Sequence, residues 1–340
     1  MAFFNKVACF TDIHFGLKGN SRIHNDDCES FVQWFIEQAK AQNCETCIFL
    51  GDWHHHRSAT NVSTMNYTVS NIEKLGAAFE KVYVIMGNHD LYYRDKREIN
   101  SMEYIRNIPN IHIVNEWLVE DDVAIIPWIV EDEYKKIQKM KQKYVFGHFE
   151  LPYFKMNAMV EMPDVGGIQT DHFAGCGKVF SGHFHKRQYM KNVTYMGNAF
   201  PHNYADAWDD DRGMMILEWG GEPKFINWPD MPRYITIKVS ELLEDPDKYL
   251  KPKMYVRVTL DIKISYEEAN FVRETFIEKY QLRELQLIPE QVDNAQQPTV
   301  EVQKFDSVDQ IVIKQLQGVD SEVYDKNILT AIYNDLDVKN

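Results

Sequence analysis

The chain has 340 residues, 44% of them hydrophobic and 13% aromatic, and a formal net charge of −14. That length supports more than one core, and the composition excludes a disordered or fibrous chain. The acidic balance excludes a protein that grips nucleic acid through a broad basic face of its own; such a substrate would need local basic clusters, bound metals or a partner.

No apolar run has the length of a membrane span, and Met1 to Phe10 lacks a basic stretch ahead of a long apolar one. Both absences predict a cytoplasmic protein with no membrane partner. The apolar run Val7 to Phe10 reads as a strand and leads into Asp12-Ile-His14. A helix is expected from about Asp26, with Glu29 completing a capping box and Phe31, Phe35 and Ala39 facing inward. Cys47 to Leu50 forms the next strand and ends at Gly51-Asp52. Cys44 and Cys47 have zinc-ribbon spacing, but no second such pair completes four ligands, so they read as residues at a strand entrance.

A helix over about Thr64 to Phe79 leads to the strand Val82 to Met86 and the loop Gly87-Asn88-His89-Asp90. Further strands are expected at Val123–Ile126, Tyr144–Phe146, Val179–Phe180, Val193–Met196 and Met214–Leu217, with Gly147-His148 and Gly182-His183-Phe184-His185 at strand exits. Strands alternating with helices predict α/β layering, and ligands then gather beyond the strand ends. Each glycine that precedes a candidate ligand, Gly51, Gly87, Gly147 and Gly182, fits a sharp exit that requires freedom from Cβ constraints.

Gly220 to Pro232, rich in Gly, Pro and Trp, marks a boundary. Beyond it, strands at Tyr234–Val239, Tyr255–Ile262 and Glu284–Ile288, with a helix capped by Ser265 and Glu268, predict a small α+β domain. The expected organisation is a main domain over 1–225, this small domain over 232–290, a polar linker over 291–304 and a helical tail over 305–340. Apolar stripes in the tail (Phe305, Val308, Val312, Leu316; Tyr324, Ile328, Ile332, Leu336) suit either folding back or docking a partner.

Five ordered motifs thus end in Asp, His or Asn, the donor set that two adjacent divalent metals require. Mixed imidazole and carboxylate donors without thiolate favour manganese or iron over structural zinc, with magnesium or zinc as alternatives. A carboxylate shared between two ions would hold them roughly 3.5–4 Å apart, the spacing of two-metal phosphoryl-transfer sites.

Over residues 6–220 these motifs resemble the calcineurin-like metallophosphoesterase superfamily. The resemblance implies a layered α/β/β/α sandwich. It also implies that Asp12, His14 and His185 hold one metal, Asn88, His148 and His183 the other, and that Asp52 bridges. His89, beside a ligand, would touch the scissile phosphate and assist the leaving group. Within the superfamily the chain is most similar to the nuclease subunit of SbcCD-type DNA double-strand-break repair complexes, through Asp52 followed by His55 and Arg57-Ser58. Phosphatases of the superfamily carry Asp-Arg-Gly there, and Gly-Asn-His-Glu where this chain has Asp90. That resemblance implies exonuclease action on duplex ends and endonuclease action on single strands, with His89, His55 and Asp52 catalytic. It makes residues 232–290 a DNA-capping domain and the tail the binding site for an SMC-like ATPase. The acidic charge and short tail depart from the pattern.

Arg57, Arg94, Lys96 and Arg97 are candidates for meeting the DNA backbone, against the plainer reading of scattered surface charge. Leu91, Tyr92, Tyr93, Met102, Tyr104 and Ile105 suit either a homodimer contact or the core. His54 and His56 read as packing or solvated residues, and His24, His112, His172 and His202 carry no motif. Two rival functions remain: a small-molecule phosphodiesterase or phosphatase on the same fold, and a non-catalytic scaffold.

Overall fold

The computed structural model of the protein describes residues 2–120, 122–156, 160–289 and 328–329. One compact unit spans Met1–Glu290 and a second Gln291–Asn340. The expected linker over 291–304 and nearly all of the tail over 305–340 lie outside the described residues; Ile328 and Leu329 are helical.

Two six-stranded sheets build the main body. The first runs, edge to edge, Lys224–Asn227, Gly213–Glu218, Lys6–Phe10, Thr46–Phe49, Lys81–Ile85 and Ile111–Val114. Its last four strands are parallel, and Gly213–Glu218 pairs antiparallel with Lys6–Phe10. The second runs Leu118–Glu120, Val123–Ile126, Tyr144–His148, Lys178–Gly182, Val193–Tyr195 and Gln188–Met190, parallel except at its two edges.

Strand alternation decides the layers. Val7, Cys9, Ile48, Leu50 and Ile85 from the first sheet meet Ile125, Phe146 and Phe180 from the second in a dry core between them. The opposite face of the first sheet, Ala8, Phe10, Cys47 and Phe49, packs on Phe31 and Phe35 of the helix Arg22–Ala41 and on Ile72 and Leu75 of the helix Val62–Ala78. Phe10 sits 4.5 Å from Phe35 and 4.8 Å from Phe49, centroid to centroid. Over the outer face of the second sheet the helical layer is thin: the single turns Tyr134–Ile137 and Thr170–Phe173 and intervening loops supply Ile137 and Phe173. The result is the expected α/β/β/α sandwich with unequal outer layers.

The first long helix starts four residues earlier than the Asp26–Glu29 pattern suggested. Ser21 is its N-cap and accepts from the His24 N–H, so Asp26 lies inside the helix. Ser265 and Glu268 do form the expected reciprocal capping box. Residues 234–289 fold as a parallel three-stranded sheet, Tyr234–Lys238, Tyr255–Leu260 and Glu284–Pro289, with the helix Tyr266–Tyr280. Ile235, Ile237, Val256, Val258 and Leu285 give it a core of its own. It is tied to the sandwich by Arg283, whose Nη2 donates to Asp27 Oδ1 at 2.7 Å, and by Lys18, which lies 3.9 Å from the Tyr255 ring centroid. Tyr234 and Tyr255 stack at 4.6 Å beside it.

Candidate metal centre

The parallel strands deliver the five motifs to one end of the sandwich. Asp12 and His14 follow Lys6–Phe10, Asp52 follows Thr46–Phe49, Asn88 and His89 follow Lys81–Ile85, His148 ends Tyr144–His148, and His183 and His185 follow Lys178–Gly182. His14 Nε2 lies 3.6 Å from Asp52 Oδ2 and 3.9 Å from Asp12 Oδ1, and His185 Nε2 lies 3.8 Å from Asp12 Oδ1. On the other side of Asp52, its Oδ2 is 3.5 Å from His148 Nε2, and Asn88 Oδ1 is 3.2 Å from His148 Nε2 and 2.9 Å from His183 Nδ1. Asp52 therefore stands between the two groups.

The donors fit divalent metals by their protonation logic. His148 Nδ1 donates to the Leu50 carbonyl at 2.7 Å, which turns a lone pair on Nε2 toward the Asn88 and Asp52 oxygens. His183 Nε2 faces Glu150 Oε1 at 3.3 Å, leaving Nδ1 against Asn88 Oδ1. Acceptor facing acceptor is relieved by a cation, either a proton or a metal ion. For His148, burial pushes the imidazole down, but Asp52, Asp12 and the Leu50 carbonyl together outweigh it and lift the ring to about 9. For Asp52, burial pushes the carboxyl up, and His148, His14 and His89 together hold it well below the usual range. Burial holds His14 neutral, with its pKa well below the ordinary value, and both of its ring nitrogens are buried without a partner. Groups able to hold a metal ion include Asp12, His14 and Asp52 together, and Asp52, His148 and His183 together.

The backbone strain falls on the ligands rather than on most of the glycines. Asp12, His14, Asp52 and His183 have φ of 50°, 52°, 63° and 90°, in the left-handed region that Asp, Asn and His enter more readily than other side chains. Among the glycines preceding ligands, Gly51 alone has a positive φ, 102°, and a Cβ there would come within 2.5 Å of His148 Nδ1. The others are required by close approach.

Asp90 fixes the loop that carries Asp52. Its Oδ2 accepts from the N–H groups of Asp52 (2.8 Å) and Gly87 (3.0 Å), its Oδ1 from Trp53 (3.0 Å) and His54 (3.1 Å). Burial and then the Asp52 charge push its carboxyl up to about 7 against these four donors.

His89 is half-buried over the same end. Its N–H donates to Asp52 Oδ1 at 2.8 Å, and its Nδ1 donates to the His55 carbonyl at 2.7 Å, so Nε2 is the available ring atom. The His55 ring stacks on it at 5.3 Å, and burial and then His89 push His55 down to about 4.

Of the four basic candidates, Arg94 reaches the rim of the centre. Its Nη2 donates to Glu150 Oε1 at 2.6 Å, and Glu150 also faces His183. Lys96 is exposed, 5.8 Å from the Tyr93 ring centroid, and Arg57 is half-buried. Arg97 is a correction: it is buried, with Nη1 and Nη2 on the two oxygens of Glu133 at 2.6 and 2.7 Å and Nη1 on the Trp128 carbonyl at 2.8 Å. A buried guanidinium already held by a half-buried carboxylate is not free for a phosphate. Of the expected dimer patch, Leu91, Met102 and Ile105 are core residues, whereas Tyr92, Tyr93 and Tyr104 are exposed. His54 is buried packing, bonded to Ser101 at 2.8 Å, and His56 is exposed.

Sequence reasoning missed Glu150 and His202. Glu150 follows His148 by two residues on the same strand exit. His202 lies in the segment after Val193–Tyr195, beyond Gly197-Asn198, the same strand-exit placement as the recognised ligands without their compact spacing.

Residues 5–187, more than half of the chain, match the calcineurin-like phosphoesterase family. The chain belongs to this family. The family uses a dimetal centre, and the two groups about Asp52 are able to hold metal ions. Exonuclease subunit 1 of Enterobacteria phage T4 is 23% identical over 317 residues, covering 85% of this chain and 92% of that protein. Among solved structures, a nuclease MPE from Pseudomonas putida is 19% identical with a TM-score of 0.29, over 53% of this chain and 62% of that one, short of two thirds of its length. A dimetal phosphatase from Danio rerio is 9% identical with a TM-score of 0.41, over 63% of this chain and 92% of that one.

Proposed function

We propose that the protein is a two-metal DNA nuclease, an exonuclease on duplex ends and an endonuclease on single strands, and the catalytic subunit of a recombination and repair complex. The convergence of six ligand side chains about Asp52, with His89 pinned beside them, carries the reading; the T4 relative, named an exonuclease subunit, supports DNA as substrate and a partner. In this reading Asp12, His14 and His185 would hold one ion and Asn88, His148 and His183 the other, with Asp52 placed between the two groups to serve both. Bound manganese ions would acidify a water and clamp the phosphodiester.

The chain's own residues do the rest. The His55 carbonyl holds His89 Nδ1–H, which aims the ring and leaves Nε2, in the doubly protonated imidazolium, to donate its proton to the departing oxygen and then stand as the neutral Nδ1–H tautomer. His55 packs against that ring and keeps its plane. Glu150 holds Arg94 at the rim, where its guanidinium meets a DNA phosphate together with Lys96 and Arg57. Residues 232–290 act as the DNA-capping domain, and the tail over 305–340 docks an SMC-like ATPase that supplies most of the DNA affinity an acidic chain lacks. Tyr92, Tyr93 and Tyr104 contribute to a homodimer contact.

The decisive experiment measures end-label release from a linear duplex with manganese, comparing wild type, His89→Ala and Asp52→Asn. His89→Ala should keep both metals and lose turnover by about 10²–10⁴-fold; Asp52→Asn should lose metal and turnover. Wild-type rates in either variant would sink the mechanism. One observation favours a second reading: a cavity of about 480 Å³ opens beside His148, lined by Trp128, Tyr134 and Glu150, sized for a small ligand. Hydrolysis of cyclic nucleotides with duplex DNA untouched would select a small-molecule phosphodiesterase instead.

A further inference from the structure

We propose that His202 is a third imidazole ligand of the first metal, beside His14 and His185. The proposal rests on the two-metal reading above and extends it to a residue outside the five motifs.

His202 is 1% exposed, and both of its ring nitrogens are buried with no hydrogen-bond partner. A side chain there for packing alone needs no nitrogens, and an aromatic hydrocarbon would fill the space without leaving two polar atoms unsatisfied. His24, whose ring centroid is 5.4 Å away, does not satisfy it: the Nε2 of His24 is already committed to the His14 carbonyl at 2.9 Å. The remaining direction is toward the metal centre. There, ring nitrogens of His14, His185 and His202 lie within 4.8 Å of one another.

The ring positions carry the same message. The three centroid separations are 5.3 Å for His14 and His185, 5.4 Å for His14 and His202, and 5.2 Å for His185 and His202, a nearly equilateral triangle. An imidazole bound at about 2.1 Å through nitrogen places its centroid roughly 3.3 Å from the ion. Three such rings spaced at roughly tetrahedral angles have centroids roughly 5.3 Å apart.

The segment bearing His202 is also built to hold it still. Its N–H donates to Asp206 Oδ2 at 2.9 Å, and Asp206 Oδ1 accepts from the buried Arg212 at 3.2 Å. Arg212 Nη1 meets Asp209 Oδ1 at 2.9 Å. A buried ion-pair network anchoring one loop is the support a ligand requires.

A third imidazole makes the first site softer, so it should favour zinc, cobalt or manganese over magnesium. The test uses the full chain loaded with cobalt(II), which shifts the exchangeable N–H proton of each bound imidazole far out of the ordinary NMR range. Wild type should show five such signals, from His14, His185, His202, His148 and His183. His202→Gln and His202→Phe should each lose one, and one of two zinc sites should weaken on the order of 10–100-fold in a chelator competition. Magnesium affinity should move much less. His202→Phe restores the packing volume, so a melting temperature recovered in that variant without recovered zinc affinity separates ligation from packing.

Four shifted signals in wild type, or wild-type zinc affinity in His202→Phe, would overturn the proposal and leave the two-metal reading intact. A third equivalent of metal, lost in both variants, would overturn it in favour of a separate site. A wild-type chain that binds no metal would overturn the underlying reading as well.

Discussion

Replacing Asp90 with Asn changes one atom and should disable the loop that carries the bridging carboxylate. The Asp90 oxygens accept four backbone N–H groups, from Asp52, Gly87, Trp53 and His54, at 2.8 to 3.1 Å. An amide offers one oxygen, which can keep two of those bonds, and turns an NH2 group against the other two donors. Each hydrogen bond to a charged acceptor is worth about 1.5–3 kcal/mol, so losing two costs about 3–6 kcal/mol. That is a large share of a typical total stability. At about 2–4 °C per kcal/mol the melting temperature should fall on the order of 10 °C. The assay is thermal unfolding with manganese at pH 8, above the value of about 7 to which burial and Asp52 push the Asp90 carboxyl, with metal content measured in parallel. A variant that melts within about 2 °C of wild type and retains two metals would refute the assignment of Asp90 as the positioning residue for Asp52.

Glu133→Gln leaves the buried Arg97 charge with only the exposed Glu116 carboxylate, 3.6 Å away, and should cost about 3 kcal/mol in urea unfolding at pH 7. Burial pushes Glu133 up, but Arg97 holds it below the ordinary value; its stabilisation is therefore full above the unfolded carboxyl's pKa of roughly 4.3 and fades as pH falls through the lower folded value. The gap between wild type and variant should close below pH 4, and a gap that widens there would contradict the pairing. Gly182→Ala places a methyl within 2.2 Å of Thr11 Oγ1, 2.7 Å of the Leu50 carbonyl oxygen and 2.9 Å of Asp12 Oδ2. It should lose at least one metal by elemental analysis and about 1–3 kcal/mol of stability, whereas unchanged metal content would show that Asp12 can yield. Chelation should lower the melting temperature, because each ion present at a hundredfold excess over its Kd adds about 2.7 kcal/mol; a chelator that leaves the melt unmoved would argue against tightly held ions.

The centre was legible because metal ligands come in short linear pieces at strand exits. Asp12, His14, Asp52, Asn88, His148, His183 and His185 all reach the same end of the sandwich. The unbroken apolar run Val7 to Phe10 also made the strand leading to Asp12 readable. What was not legible depends on tertiary neighbours. Arg97 is one residue from exposed Lys96, and only the position of Glu133 and Trp128 turns it inward. Met102 and Ile105 face the core and Tyr104 does not, a distinction that a short 3-10 segment without helical periodicity hides. His202 is invisible because its approach to His14 is set by the loop after Val193–Tyr195, whose path no local pattern encodes. The short strands Ile111–Val114 and Lys224–Asn227 escaped because edge strands of four residues carry little alternation.

The left-handed backbone at Asp12, His14, Asp52 and His183 changes how mutants of this centre should be interpreted. Those four positions select side chains twice, once for a donor atom and once for tolerance of a positive φ. Alanine fails both tests, so an alanine scan would confound lost ligation with a backbone penalty of roughly 1–2 kcal/mol at each position. Asparagine at 12 and 52 keeps the conformer while removing the charge, and glycine keeps it while removing the side chain. Comparing those two replacements position by position separates the chemistry of the centre from the architecture that presents it.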